Sequence, residues 1–178
     1  MKSLFNFCLA GLLLGAATAH AHVVLETPAA PADSSYRAVL RVGHGCDGSA
    51  TRAIRVLLPA GLRGAKPMPK AGWVLAVRRA PLAQPYTSHG KTVREDVVEI
   101  SWTASSPESW LRDEWYDEFI LRATLPPQAG PLWFQVLQTC EQGSIDWAQV
   151  PAQGTSTKGL KAPAVLLDVL PATPAHVH

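Results

Sequence analysis

A histidine lies at a point where proteolysis would give it metal-binding chemistry. The segment Ala19-His20-Ala21-His22 ends an apolar leader, and cleavage after Ala21 would make His22 the first residue. The free α-amine and the ring Nδ1 of that residue would then close a chelate ring on one metal ion, the half-site called a histidine brace. Amine and imidazole nitrogens suit Cu(II), which lies at the top of the divalent affinity series. The pattern therefore predicts a Cu(II) site created by a protease.

The leader has the three parts of a secretory signal peptide. Lys2 is a short basic region, residues 4–14 are apolar, and Ala19-His20-Ala21 fits the small-residue cleavage rule. We predict a signal peptide over residues 1–21, export and a periplasmic location. A cut after Ala19 also fits the rule and would leave His20-Ala21-His22, a square-planar site for Cu(II) or Ni(II). No second apolar stretch of about 18 residues follows, so we expect no transmembrane anchor.

Two cysteines remain once Cys8 is removed with the leader. Cys46 and Cys140 form an even pair in an oxidising compartment, which favours a disulfide. The loop between them is about 90 residues long, so closing it contributes roughly 4–5 kcal/mol in the chain-entropy model. The alternative interpretation is a Cu(I) site made of two thiolates.

Short alternating or apolar segments, separated by turn signals, must position these residues. Fifteen prolines and thirteen glycines interrupt the chain, which is typical of many short strands. We predict an antiparallel β-sandwich of about seven to nine strands over residues 22–170, a disordered tail over residues 171–178, and one or two helical turns over Glu108–Asp113. The predicted strands are His22–Glu26, Tyr36–Val42, Ala53–Leu58, Trp73–Arg78, Asp96–Trp102, Tyr116–Leu125, Leu132–Gln138 and Ala164–Val169.

Composition excludes several classes of function. Lysine and arginine total 16 against 14 aspartates and glutamates, and no basic stripe indicates a nucleic-acid partner. The sequence lacks a Ser-His-Asp order, a P-loop and a dinucleotide fingerprint. We therefore expect no enzyme of those classes.

Several motifs together resemble the YcnI-like copper-binding domain family in its Gram-negative form. The resemblance runs from His22 to about Val169 and implies an immunoglobulin-like or cupredoxin-like sandwich. The matching segments are His22-Val-Val-Leu-Glu-Thr-Pro, the run from Tyr36 to Ser49, Lys66-Pro-Met-Pro-Lys-Ala-Gly-Trp73, Pro85-Tyr-Thr-Ser-His-Gly-Lys91, Tyr116-Asp-Glu-Phe119 and Gln138-Thr-Cys-Glu-Gln-Gly143, with Trp147 behind them.

The resemblance implies one Cu(II) ion held by a one-histidine brace, a glutamate on the second strand and a nearby tryptophan. His22 matches the brace histidine and Trp147 matches the tryptophan. The position of the glutamate falls at Tyr36, which leaves the third ligand open.

Other residues could complete the site. If the first two strands pair as a hairpin around residues 28–35, His22 lies opposite the end of the second strand, near His44 and Asp47. We take His44 as the leading candidate ligand, because Asp-Gly at positions 47–48 is a turn signature. Tyr36 remains a candidate neighbour of the metal.

The predicted function is copper binding without turnover, in copper trafficking or homeostasis, with another periplasmic copper chaperone as a possible partner. One alternative is a copper-dependent oxidative enzyme, since polysaccharide-cleaving copper enzymes also begin with a histidine brace and His44 could supply their second imidazole. The other alternative is a metal-free interaction domain.

Overall fold

Eleven β-strands make up most of residues 22–172, the part of the chain that the computed structural model describes. The predicted signal peptide and residues 173–178 of the predicted tail lie outside the described residues. No helix between residues 22 and 172 is long and apolar enough to cross a membrane. The strands are β1 Val24–Leu25, β2 Ala29–Pro31, β3 Ser35–Val42, β4 Thr51–Leu57, β5 Arg63–Pro67, β6 Trp73–Ser88, β7 Lys91–Ala104, β8 Asp117–Thr124, β9 Gly130–Cys140, β10 Ser144–Trp147 and β11 Val165–Leu170.

The strands form two sheets that face each other. The smaller sheet has the order β1-β3-β8-β5, and every pairing in it is antiparallel. The larger sheet has the order β2-β11-β9-β4-β7-β6, and β10 adds to the far half of β9. Only the β2–β11 pairing is parallel among these strands. The predicted antiparallel β-sandwich is therefore confirmed.

Alternation along the strands explains which side chains enter the core. In β9, Phe134 and Val136 are fully buried while Gln135 between them is partly exposed, as the two-residue period of a strand requires. Phe119 of the small sheet inserts between Trp73 and Trp102 of the large sheet, with ring centroids 5.1 and 5.7 Å apart. These edge-to-face contacts join the two sheets at the centre of the core.

Three details differ from the sequence-based expectation. There are eleven strands rather than seven to nine, because β2, β5 and β10 are short strands that the sequence patterns did not predict. The predicted helix over Glu108–Asp113 is wrong, since only a 3-10 turn forms at Pro107–Ser109 and Pro107 supplies its first position. The first two predicted strands do pair antiparallel, but their connection over residues 28–35 is not a simple turn, because Ala29–Pro31 crosses to the other sheet as β2 and pairs with β11.

Strands β6 and β7 form a long hairpin arm. His89 and Gly90 both have positive φ, 47° and 73°, between the paired residues Ser88 and Lys91. This two-residue turn has the type I′ form that matches strand twist. His89 thus lies at the exposed tip of the arm.

Tyr36 has a structural position in the core. Its hydroxyl donates a hydrogen bond of 2.6 Å to the carbonyl of Thr27, and the side chain is buried. Burial raises the pKa of Tyr36 to about 12 from its usual 10.0, and the negative charge of Glu26 adds to the rise. The phenol therefore stays protonated in the folded state well above neutral pH.

Replacing this phenol should change the alkaline stability of the protein. Between pH 10 and 12 the unfolded chain releases the Tyr36 proton while the folded chain retains it, so folding stability falls as pH rises. We expect Tyr36→Phe to lower the free energy of unfolding by about 1 kcal/mol at pH 8, through loss of the hydrogen bond. The deficit should shrink in urea unfolding at pH 11. A deficit that stays constant from pH 8 to pH 11 would contradict the assignment.

Candidate metal centre

His22, His44 and Trp147 come together at one end of the sandwich. The ring centroid of His22 lies 5.5 Å from that of Trp147, and the centroid of His44 lies 6.2 Å from it. Both contacts are edge-to-face, with interplanar angles of 68° and 76°. The indole therefore forms a common wall for two imidazoles that are 22 residues apart in sequence.

Strand register explains why the two histidines meet. Strand β1 pairs antiparallel with β3, with Val24 opposite Arg41 and Leu25 opposite Leu40. Continuing that register beyond β1 places His22 level with the end of β3, just before His44. The sequence-based expectation that His44 lies near His22 agrees with this geometry, although the chain between β1 and β3 is not a simple hairpin.

A tight turn and the disulfide fix the loop that carries His44. Asp47 and Gly48 have φ of 49° and 84°, and Cys46 and Ser49 exchange backbone hydrogen bonds of 3.0 and 2.9 Å. Gly45 is required there, because a Cβ on it would lie 1.9 Å from the Ser49 carbonyl oxygen. The predicted disulfide is present, and Cys46 and Cys140 have Cα atoms 6.0 Å apart. Asp47 thus serves the turn, as its dipeptide indicates.

A hydrogen bond of His44 involves its ring Nδ1. Its Nδ1 lies within hydrogen-bond distance of the Gly45 carbonyl oxygen. Because a carbonyl only accepts, Nδ1 must carry the proton in this bond, and the neutral ring then has its lone pair on Nε2. A backbone carbonyl on the other nitrogen is the usual partner of a metal-binding histidine.

A buried glutamine connects the tryptophan to the His44 loop. Gln138 Oε1 accepts a hydrogen bond from the indole Nε1 of Trp147 at 3.0 Å. Its Nε2 donates to the His44 carbonyl and to the Thr51 hydroxyl, both at 2.7 Å. An indole NH can only donate and a carbonyl can only accept, so the orientation of the amide is determined. Gln138 therefore fixes Trp147 and His44 relative to each other.

Sequence reasoning missed Gln138, although a signal for it exists. Phe134, Val136, Gln138 and Cys140 occupy the inward positions of β9, and Gln138 is the polar member of that series. A buried polar side chain needs hydrogen-bond partners, so a polar residue at an inward position indicates a specific network.

The other candidates do not join the cluster. Tyr36 lies at the opposite end of β3, eight positions before His44, which corresponds to roughly 26 Å along a strand. The structure therefore places Tyr36 away from His22 and His44. Glu26 forms ion pairs with Arg37 and Arg41. Across residues 22–172, no group of three or more histidine, cysteine or carboxylate side chains is arranged to hold a metal ion. His22 and His44 are therefore the two imidazoles that the structure brings together at this end of the sandwich.

Removing the Gln138 amide should destabilise the protein. Gln138→Leu leaves the Trp147 indole NH, the His44 carbonyl and the Thr51 hydroxyl without that partner in a buried site. We expect the free energy of unfolding to fall by about 2–4 kcal/mol, measured by urea denaturation. Gln135→Leu, three positions earlier on β9 and partly exposed, is the matched control and should change it by less than about 1 kcal/mol. Equal losses in the two variants would contradict the role of the amide.

Fold and site together define the class of this protein. It is a disulfide-bonded, two-sheet β-sandwich that carries two histidines and a tryptophan at one end. It is similar to an uncharacterized protein from Nocardia farcinica whose crystal structure has an immunoglobulin-like fold, with 25% sequence identity and a TM-score of 0.64, over 85% of this chain and 99% of that one. No curated protein matches the chain.

The chain belongs to the family described as a domain of unknown function, DUF1775, whose model matches residues 22–169. This is the YcnI-like family that the motifs indicated. The matched region begins at His22, the residue that lies against Trp147. The family description itself names no ligand.

Proposed function

We propose that this protein is exported to the periplasm and binds one Cu(II) ion through His22 in copper trafficking or homeostasis. The observation that carries the proposal is the convergence of His22 and His44 on Trp147. Before processing, the nitrogen of His22 belongs to a peptide bond with Ala21. Cleavage after Ala21 would convert it into an amine beside the imidazole.

The donor set suits Cu(II). The α-amine and Nδ1 of His22 with Nε2 of His44 would supply three nitrogens, and Cu(II) favours nitrogen ligands in a tetragonal plane. Trp147 has no lone pair to donate, because its indole NH is only a donor. Trp147 would instead shield one side of the site from solvent and hold the two imidazoles in place. The Gln138 amide behind it would act on the site through Trp147 and His44.

We propose that the site stores or transfers Cu(II) and does not catalyse a reaction. The ligands come from a chain terminus and a surface loop, where a partner of the copper-chaperone kind could reach the ion. The bound ion would supply the chemistry of Cu(II) ligation, and the protein residues would bind and orient it. Absence of copper-dependent oxidation of chitin or cellulose by the loaded protein would support binding without turnover, and clear oxidation would replace the proposal with the enzyme alternative.

Titration of the processed protein tests the proposal. Protein that begins at His22 should take up one equivalent of Cu(II) and give an electron paramagnetic resonance spectrum with nitrogen hyperfine splitting. His44→Ala should weaken binding about 10- to 100-fold or alter the spectrum. His89→Asn is the matched control, because asparagine tolerates the positive φ at that exposed turn. A His44→Ala spectrum and affinity identical to those of the control would remove His44 from the ligand set.

The Gln138→Leu variant extends the same test to the residues behind the ligands. Partners of metal-binding histidines typically contribute 10- to 100-fold in metal affinity. We expect a loss of about that size for Gln138→Leu and none for Gln135→Leu, measured under conditions where both variants are folded.

A further inference from the structure

Three cations lie side by side on the outer face of the small sheet. Arg122 of β8 is directly opposite Arg37 of β3 on one side and Lys66 of β5 on the other. All three side chains are exposed. Opposite residues on antiparallel strands have Cβ atoms about 5 Å apart, and like charges at such positions destabilise a sheet. This row of Arg37, Arg122 and Lys66, the basic row, is therefore an unfavourable arrangement unless an anion compensates it.

The protein itself compensates only one end of the basic row. Arg37 has a carboxylate of Glu26 at 3.8 Å. Arg122 donates a hydrogen bond of 3.2 Å to the neutral hydroxyl of Ser35. In the described part of the chain, neither Arg122 nor Lys66 forms an ion pair. Two neighbouring positive charges are left without a carboxylate.

Lys66 and Arg122 line a cleft of about 620 Å³. The tip of the β6–β7 arm forms its other side, where Thr87, Ser88 and His89 add hydroxyl groups and an imidazole. Arg63 also lines the cleft, but it is ion-paired with Asp33, which is the one carboxylate in the lining. The cleft is thus polar, rich in hydrogen-bond donors and carries an excess positive charge from Lys66 and Arg122.

We propose that this cleft binds the phosphate group of a phosphomonoester, with Arg122 and Lys66 as the principal contacts. A phosphomonoester carries about −1.5 to −2 charge at pH 7, which matches two uncompensated cations better than a single carboxylate does. The guanidinium of Arg122 offers a planar pair of donors for two phosphate oxygens, and Lys66 adds a point charge. The volume exceeds that of a phosphate ion and falls within the range of small-molecule sites, which leaves room for the organic part.

The cleft is separate from the candidate metal centre. Arg37, in the basic row, lies seven positions before His44, or roughly 23 Å along a strand. The phosphate-binding proposal is therefore independent of copper binding and is tested by a separate measurement.

Calorimetric titration of the disulfide-bonded protein with glycerol 3-phosphate tests the proposal, with glycerol as the neutral comparison. We expect saturable 1:1 binding of glycerol 3-phosphate only. The double variant Lys66→Gln/Arg122→Gln should bind it at least about tenfold more weakly, since each charge-assisted hydrogen bond contributes about that factor or more. Arg55→Gln/Lys158→Gln is the matched control, because it removes two exposed positive charges outside the cleft.

Two further measurements distinguish the source of the phosphate and check that the double variant is folded. Vesicles of phosphatidylcholine with and without phosphatidic acid test whether a lipid monoester is accepted in place of the soluble one. Thermal unfolding of Lys66→Gln/Arg122→Gln should begin no lower than that of the wild type, because the variant relieves like-charge repulsion. Absence of saturable binding to both glycerol 3-phosphate and phosphatidic acid, or equal weakening in the two double variants, would overturn the proposal.

Discussion

A protein that retains one extra residue before His22 is expected to lose tight Cu(II) binding. The added peptide bond converts the α-amine of His22 into an amide and moves the terminal amine one residue away, while the His22 and His44 imidazoles remain beside Trp147. A chelate in which one donor tethers the next gains roughly 100-fold or more in affinity from that linkage. We therefore expect a loss on the order of 100-fold in competition titrations with a calibrated chelator, together with a changed nitrogen hyperfine pattern.

The control for this extension must keep every contact of the fold. A protein with one residue added after His178 has the same composition as the extended one and should bind Cu(II) like the processed protein. Mass spectrometry of both purified proteins confirms which residue is first. Because the extended protein has a new terminal amine of its own, affinity and spectrum are read together. If the extended protein binds Cu(II) as tightly as the control and gives the same nitrogen hyperfine pattern, the His22 α-amine is not a ligand and the histidine-brace proposal fails.

Removal of the disulfide has the second large expected effect. The bridge joins residues 94 positions apart, so in the chain-entropy model it stabilises the folded state by about 4–5 kcal/mol. Both sulfurs lie in buried residues, which makes Cys46→Ala/Cys140→Ala a better probe than a serine pair that would bury two hydroxyls. Urea unfolding should show a free energy of unfolding lower by about this amount.

The same variant should also loosen the candidate metal centre. Cys46 lies two residues after His44, and Cys140 lies two residues after Gln138 on β9. The bridge therefore holds the His44 loop against the strand that carries its hydrogen-bond partner. A variant that loses less than about 1 kcal/mol would show that the turn at residues 46–49 and the bonds of Gln138 suffice without the bridge.

The basic row illustrates a feature that charge patterning along the chain cannot reveal. Arg37, Lys66 and Arg122 are separated by 29 and 56 residues, and the overall charge is close to balance. Because the three cations are so far apart in sequence, they form no run of neighbouring basic residues along the chain. The row forms only because β5, β8 and β3 are adjacent in the small sheet.

The sequence by itself determined the features that depend on local chemistry. Alternation and turn residues predicted the β-sandwich, and each of the eight predicted strand segments overlaps an observed strand. Cysteine parity predicted the bridge between Cys46 and Cys140. The Asp47-Gly48 and His89-Gly90 pairs predicted turns because these residue types tolerate positive φ.

Only the tertiary structure decided which distant residues meet. The order of strands in a sheet and their register depend on long-range packing, which no local pattern encodes. That packing sends Ala29–Pro31 to the opposite sheet and leaves Tyr36 in the core far from His44. It also brings Gln138 under Trp147 and His44. His22 was identifiable as a candidate ligand from its position after the predicted leader, whereas its neighbours were fixed by the pairing of β1 with β3 and of β10 with β9.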